Sequence, residues 1–371
     1  MSSTRKLRVG VLMGGRSGEH EVSLLSAASV LRAIDRRKYE VVPIGITREG
    51  RWLLSSAPLK QLKEAAGGGE TSITSLVADP TQHALLAVKS SPEEVTERLD
   101  LIFPVLHGTF GEDGTIQGLL EIAGVPYVGA GVLSSALGMD KAMMKIAFRA
   151  RHLPVVDAVE VRRYEWERDP ECTVRQVEES FGYPCFVKPA NLGSSIGITK
   201  VSCRQDLRPA IELAMQYDRK ILIEDAAENC REIECAILGN DEPEASVVGE
   251  ILPGREFYDY EAKYSDSGTK AVIPADLPAP VAEEIRCLAI EAFKAIDGSG
   301  MARVDFFVGR DDYRIIVNEI NTIPGFTQYS MYPKLWEASG VGYSELIDRL
   351  IELALQRHAE RSSLRTDYTR Q

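Results

Sequence analysis

Apolar positions along the chain follow two different periods. Near the start, the runs "LRVGVLMGG" from Leu7, "YEVVPIGIT" from Tyr39 and "DLIFPVLHG" from Asp100 are short and separated by stretches of helical spacing. That alternation predicts a mostly parallel α/β sheet. In the first helical stretch, Leu24, Ala27, Ala28, Leu31 and Ile34 form one apolar stripe, and Ser23 stands where an N-cap belongs. Between Ser55 and Ser91 the pattern dissolves into Gly, Ser and Thr around "AAGGGE", read as a partly ordered surface insertion without chemistry.

Small residues in "YVGAGVLSSALG" from Tyr127 suit a junction, which sets a first domain at 1–138. The next stretch alternates "PCFVKPA" from Pro184, "GITKV" from Gly197, a helix near Gln205 to Tyr217 and "KILIEDA" from Lys220, a small α+β lobe over 139–224. The remainder, 225–371, carries the strand-like "REIECAIL", "ASVVGEIL", "MARVDFFV" and "YRIIVNEI". It adds helices near Pro280 to Ile296 and from about Tyr343.

At 371 residues and 44% apolar content the chain exceeds what one core usually fills, in keeping with two or three domains. A net charge of -12 argues against a nucleic-acid or anionic-membrane surface and favours a small-molecule substrate. No apolar run approaches the roughly 20 residues that span a bilayer, and Met1 to Lys6 lack a signal-peptide pattern, so a soluble cytoplasmic protein is expected. The six cysteines form no Cys-x-x-Cys pair, and no two of the five histidines share i, i+4 spacing. Carboxylates are left as the metal-ligand candidates.

The segment "MARVDFFVGRDDYRIIVNEIN" from Met301 reads as two strands joined by a short turn. Residues two apart on a strand share a face, so Arg303 pairs with Asp305 and Glu319 with Asn321. A turn symmetric about Asp312 sets Asp305 opposite Glu319 and Arg303 opposite Asn321. Opposed carboxylates repel unless a proton or cation intervenes, and a magnesium ion completing its shell with water and phosphate suits Asp305, Glu319 and the Asn321 amide oxygen. A hairpin whose charges simply face water is the alternative.

Weaker signals surround this one. Lys188 ends an apolar strand before Gly193-Ser194-Ser195-Ile196-Gly197, a turn able to aim N–H groups and hydroxyls at phosphate, although it is not a Walker A loop. Pro324-Gly325 marks a turn whose backbone N–H could face developing negative charge beside Arg303. The N-terminal "GGRSGEHEVS" lacks G-x-G-x-x-G spacing, and Glu19 and Glu21 at a helix entrance disfavour pyrophosphate there. Glu21 suits either an ammonium partner or simple compensation of the helix dipole. His107, at the end of a strand, suits either a ligand-facing role or a satisfied structural histidine.

Taken together, "HEVS", "LHGTFGEDG", "DKAMMK", "FVKPANLGSSIGI", "EAKY", "ARVDFF", "VNEINTIPGFT" and "YSMYP" resemble the D-alanine-D-alanine ligases, which are ATP-grasp enzymes; the matches run in family order from about residue 7 to 350. The resemblance implies an N-terminal open α/β domain followed by a two-lobed ATP-grasp fold. It also implies ATP-dependent joining of two D-alanine molecules through an acyl phosphate, for peptidoglycan precursors. It puts Lys141 and Lys188 toward phosphate, Ser194 and Ser195 in a closing loop, Glu224 at adenine and Glu232 at ribose. Asp305, Glu319 and Asn321 match magnesium ligands, with manganese as a substitute and two ions expected. Glu21 matches the holder of the first D-alanine ammonium, and His107 falls in the substrate region. Arg303 and the Gly325 amide correspond to an oxyanion hole. Lys263 and Ser330 lie near the second D-alanine, Lys263 also by the nucleotide, and Tyr264 closes through Ser194 toward Glu21. A homodimer is likewise implied.

The departures, Ile323 in a variable motif position and the longer 55–91 insertion, touch no matched site residue. Three rivals remain at this stage: a D-alanine-D-lactate ligase, from which the Tyr264 motif differs; a noncatalytic nucleotide-binding module, which need not keep Arg303; and a nicotinamide oxidoreductase, which leaves the late carboxylates without a role.

Overall fold

The computed structural model describes residues 5–54, 59, 62, 72–76, 78–81, 84–88, 96–252 and 270–365. The first part of the chain builds strands β1 (Leu7–Gly14), β2 (Tyr39–Ile46), β3 (Trp52–Leu54), β4 (Ser72–Leu76), β5 (Ala84–Val88), β6 (Thr96–Arg98) and β7 (Leu101–Val105). It also forms helices α1 (His20–Ala33), α2 (Thr115–Ile122) and α3 (Val132–Met139). The described strands form one sheet in the order β6-β5-β4-β3-β2-β1-β7.

Among the described residues only β2, β1 and β7 run parallel; β3 to β6 add as successive antiparallel neighbours, which corrects the expectation of a mostly parallel sheet. Two of those strands lie inside the 55–91 stretch read as an insertion. In β4, buried Thr74 and Leu76 flank exposed Ser75, a period-two pattern that Ser- and Thr-rich composition disguised. The first helix also departs from expectation. It starts at His20, so Ser23 lies inside it, and its buried hydroxyl accepts from Gly14 N–H at 2.8 Å while donating to the Val105 carbonyl. Ser23 therefore ties α1 to two strand ends instead of capping the helix.

A second sheet, ordered β10-β9-β11-β8, contains β8 (Ala158–Arg162), β9 (Cys185–Pro189), β10 (Thr199–Val201) and β11 (Lys220–Asp225). It accompanies helices α4 (Lys141–Ala150), α5 (Arg163–Arg168), α6 (Pro170–Ser180) and α7 (Arg204–Ala214). Strand alternation divides its labour. Cys185, Val187, Ile221 and Ile223 pack into a core with Val177 of α6 and Ile211 of α7, while Lys188 and Glu224 turn to the other face.

The third sheet, ordered β14-β13-β12-β15-β16, comprises β12 (Cys230–Gly239), β13 (Glu244–Leu252), β14 (Lys270–Val272), β15 (Gly300–Gly309) and β16 (Ile315–Asn321). Helix α8 (Ala279–Ala295) covers one face, where Ala302, Val304, Phe306 and Val308 meet Ile285, Ala289 and Phe293. After β16 come α9 (Met331–Ala338) and α10 (Tyr343–Ser362), which join the first sheet to the third. One apolar cluster contains Val11 and Phe103 of the first sheet, Leu238 and Met301 of the third, and Tyr332, Leu346 and Leu350 from the two helices.

The seam between first and third sheets is closed by backbone contact. Gly300 has φ of +75°, and a Cβ there would sit 3.2 Å from the Cα of Gly129. Arg357 of α10 seals the same seam: its guanidinium donates to the Gly129 carbonyl, to Ser299 Oγ at 2.6 Å and to the Tyr127 carbonyl at 3.2 Å. It also stacks 4.4 Å from the centre of the Tyr127 ring. Gly300→Ala forces an L side chain into a left-handed backbone against Gly129, and is expected to cost about 2 kcal/mol. Thermal unfolding of the variant, several degrees below wild type, is the check; an unchanged midpoint contradicts the close seam.

Candidate active site

The second and third sheets, with α1 and loops of the first unit, enclose a cavity of about 1050 Å³ lined by described residues. One wall is the polar face of β15 and β16, whose register pairs Arg303 with Asn321 and Asp305 with Glu319. This is the pairing expected from a turn symmetric about Asp312. Beyond it the register shifts, because Phe306 pairs with Val317 and leaves Asn318 as an extra residue. Strand β12 adds Glu234 directly opposite Asp305.

The charges on this wall balance one another. Arg303 holds Asp305 through two bonds of 2.7 Å, Nε to Oδ1 and an Nη2 nitrogen to Oδ2, and its Nε lies 3.1 Å from Glu234. Burial disfavours the Arg303 charge, but Asp305 and Glu234 outweigh that and hold the guanidinium well above its ordinary range. Asn321 Nδ2 donates to Asp305 at 3.0 Å, and Lys141 Nζ stands 3.8 Å from Glu319 while donating to the Leu192 carbonyl at 2.8 Å. The cation demanded by the opposed carboxylates is thus present in the chain itself, as Arg303 and Lys141.

The facing wall comes from the second sheet and α4. Glu224 is 3% exposed and is ion-paired with Lys188 on one carboxylate oxygen and with Lys145, at 3.1 Å, on the other. Burial alone would raise the Glu224 carboxyl, yet Lys188 and Lys145 overcome it and bring it down to about 2. Burial lowers the Lys145 ammonium in turn. Glu232 and Ser195 also line the cavity.

A third side is made by loops. Ser194 and Ser195 adopt φ of 52° and 58°, a left-handed turn that carries the Ser194 hydroxyl onto Glu19. Glu19 is 8% exposed and lies in the cavity, whereas Glu21 does not line it: it is 53% exposed at its side chain and pairs with Arg48 at 2.8 Å. Glu19 immediately precedes α1 and points inward; two residues later the helical turn points Glu21 to solvent. Gly108, with φ of +73°, leaves room for Glu19, since a Cβ there would come 2.6 Å from its carboxylate.

His107 is buried in the cavity wall, and burial pushes its imidazole below the usual range. Glu112 accepts the Gly108 N–H at 2.7 Å, and burial followed by the charge of Glu19 pushes its carboxyl up to about 8. Gly325 borders the cavity next to Ser330, whose hydroxyl accepts the Thr327 N–H at 3.1 Å. Lys263 and Tyr264 lie outside the described residues.

Two family models cover most of the chain: "D-ala D-ala ligase N-terminus" matches residues 8–130 and "D-ala D-ala ligase C-terminus" matches 147–352. The chain belongs to the D-Ala-D-Ala ligase family. It is 51% identical to the D-alanine--D-alanine ligase of Natranaerobius thermophilus, with 98% of this chain and 99% of that one covered. The ligase of Geobacillus thermodenitrificans is also 51% identical, covering 97% and 98% of the two chains. Among solved structures, the D-alanine-D-alanine ligase from Coxiella burnetii superposes with a TM-score of 0.85 at 38% identity, covering 97% of each chain. The VanG D-Ala:D-Ser ligase from Enterococcus faecalis does so with a TM-score of 0.84 at 36% identity, covering 94% of this chain and 100% of that one.

The protein is therefore a ligase whose architecture is an N-terminal α/β unit followed by the two lobes of an ATP-grasp fold. No helix among the described residues is long and apolar enough to cross a membrane. Within this ligase site, sequence reasoning overlooked three cavity groups, Glu19, Glu112 and Glu234, and the buried Lys145 behind Glu224. Lys145 was signalled by its i, i+4 spacing from Lys141 in "DKAMMK", and Glu112 by its place in "HGTFGEDG". Glu19 stood beside Glu21 in the same motif. Glu234 required knowing that β12 neighbours β15, which no local pattern announces.

The Glu224 cluster sets a pH dependence. A carboxyl lowered from 4.5 to about 2 contributes stability that is full above pH 4.5 and is lost as pH falls toward 2. Lys188→Met removes one of its two cations and is expected to cost about 2 kcal/mol at pH 7. The stability gap between wild type and variant should narrow as pH drops through that window, read by denaturant titration at each pH. A gap independent of pH would contradict the pairing.

Proposed function

We propose that this chain joins two D-alanine molecules into D-alanyl-D-alanine, consuming ATP through an acyl phosphate, as a cytoplasmic homodimer supplying peptidoglycan precursors. Three units, 1–138, 139–224 and 225–371, divide the work. The observation that carries the reading is the convergence on one cavity of the lysine-flanked Glu224, the Arg303-Asp305-Glu319-Asn321 face and the Glu19-Ser194 contact.

ATP lies between the second and third sheets, its base toward Glu224, its ribose toward Glu232, and its phosphates toward Lys141, Lys188 and the Ser194-Ser195 turn. Lys145 joins this set as Glu224's second partner. The first D-alanine places its ammonium group on Glu19, in place of Glu21, because the buried carboxylate is the one that reaches the cavity. Its carboxylate attacks the γ-phosphorus, forming the acyl phosphate and ADP. The neutral amine of the second D-alanine, held near Ser330, Lys263 and His107, then attacks the acyl carbon. Arg303 and the Gly325 N–H stabilise the oxyanion until phosphate leaves. Tyr264 closes the site toward Ser194 and Glu19, keeping water from the acyl phosphate.

The residues present fit divalent ions. Asp305 and Glu319 oppose across the ladder, and Asn321, whose amide nitrogen bonds Asp305, keeps Oδ1 as its acceptor. Two magnesium ions, or manganese, held by Asp305, Glu319 and Asn321 would supply neutralisation of phosphate charge.

ADP release measured with D-alanine, then with D-alanine plus D-serine or D-lactate, tests the activity; D-alanine-dependent ADP and dipeptide are expected, and ADP without dipeptide, or ester alone, overturns the assignment. Glu319→Gln should lower kcat about 100-fold. Glu19→Gln should raise the KM for D-alanine at least about tenfold, while Glu21→Gln changes it less than about twofold. The reverse order would return the ammonium to Glu21.

A further inference from the structure

Strand β16 leads into the turn Ile323-Pro324-Gly325-Phe326, which borders the cavity. Both ends of this turn are gripped from other parts of the chain. His107 Nδ1 lies 3.1 Å from the Ile323 carbonyl, which can only accept, so Nδ1 carries the hydrogen. In the neutral ring Nε2 is then an acceptor, and it lies 3.0 Å from Ser26 Oγ, whose hydroxyl must donate. The same Ser26 oxygen accepts the Phe326 N–H at 3.2 Å. The hydrogen bonds therefore close a ring: Phe326 to Ser26, Ser26 to His107, His107 to Ile323, and back along the turn. Full burial of Ser26 and His107 favours the neutral ring that this arrangement needs.

A second grip acts on the far side. The Tyr343 hydroxyl donates to the Phe326 carbonyl at 2.5 Å, and the Phe326 ring packs edge-on against Phe103 at 6.0 Å and against Tyr343 at 6.2 Å. Gly325, half-buried between the two fixed residues, has its peptide plane set by groups from α1, the loop after β7, and α10. Helices α1 and α10 both pack into the core shared by the first and third sheets.

We infer that Ser26 and Tyr343 are positioning residues for the acyl-transfer step: they aim the Gly325 N–H at the developing oxyanion without touching substrate. The inference rests on the oxyanion role proposed above for Gly325. Neither residue contacts the nucleotide wall, so their loss acts on the second half of the reaction and spares the first.

The test compares wild type with Ser26→Ala and Tyr343→Phe, measuring single-turnover ADP formation and dipeptide formation separately. Removing an oxyanion donor outright costs about 10²- to 10³-fold, so misaiming one is expected to slow dipeptide formation about tenfold. ADP formation and the KM for ATP should stay within about twofold of wild type. Phosphate released per dipeptide should rise, as the acyl phosphate is lost to water. Equal slowing of both half-reactions, or no change in either, overturns the inference. Should Ser26→Ala fail to fold, Tyr343→Phe, which deletes only a hydroxyl, carries the same comparison. A wild type that forms no ADP with D-alanine overturns the activity and this inference together; an active wild type with unaltered variants overturns this inference alone.

Discussion

The apolar core shared by the first and third sheets is the constraint on which the rest depends. Val11 and Phe103 on one side and Leu238 and Met301 on the other are buried in the same cluster, roofed by α9 and α10. Burial of this kind is worth roughly 25 cal/mol per Å² and has no direction of its own, so it presses the two sheets together without specifying their register. Register comes from the polar ties laid over it: Arg357 across the glycine seam, and His107 reaching from the first unit to the Ile323 carbonyl of the last. Together they bring Glu19 and Arg303 to one cavity although distant parts of the chain supply them.

Inside that cavity, charge is settled by pairing before any ligand is considered. A buried carboxylate without a partner is costly, and each one here has an answer: Glu224 has two lysines, Asp305 and Glu234 share Arg303, and Glu112 is pushed toward its protonated form. These pairs offset the like charges gathered on each wall. They also define what ligands must replace, since a polyphosphate competes for the lysines and a cation competes with Arg303 for Asp305.

How much of this could be read from sequence depended on the distance over which each pattern acts. The Arg303-to-Asn321 hairpin was legible because strand alternation and one symmetric turn are local rules, and the structure reproduces both pairs. The bulge at Asn318 was not, since strand alternation alone carries no mark of where the register shifts. Ser23 was misread for a related reason: an N-cap is a local pattern, but this hydroxyl is claimed by Gly14 and Val105 from other strands. The strands within 55–91 were hidden by composition. Glu19 and Glu21 are indistinguishable by motif, and only the start of α1 shows which carboxylate faces inward.

The seam at Gly129 also bears on how such a chain matures. Its guanidinium partner, Arg357, lies 228 residues further along. A nascent chain makes its first sheet early, yet the α9 and α10 side chains that cover that sheet emerge only after the strands of the second and third sheets. Until then Val11, Phe103 and their neighbours have no lid. Helix α10 is thus both a late-arriving cover for the first sheet and the part whose absence would leave an apolar face open to aggregation.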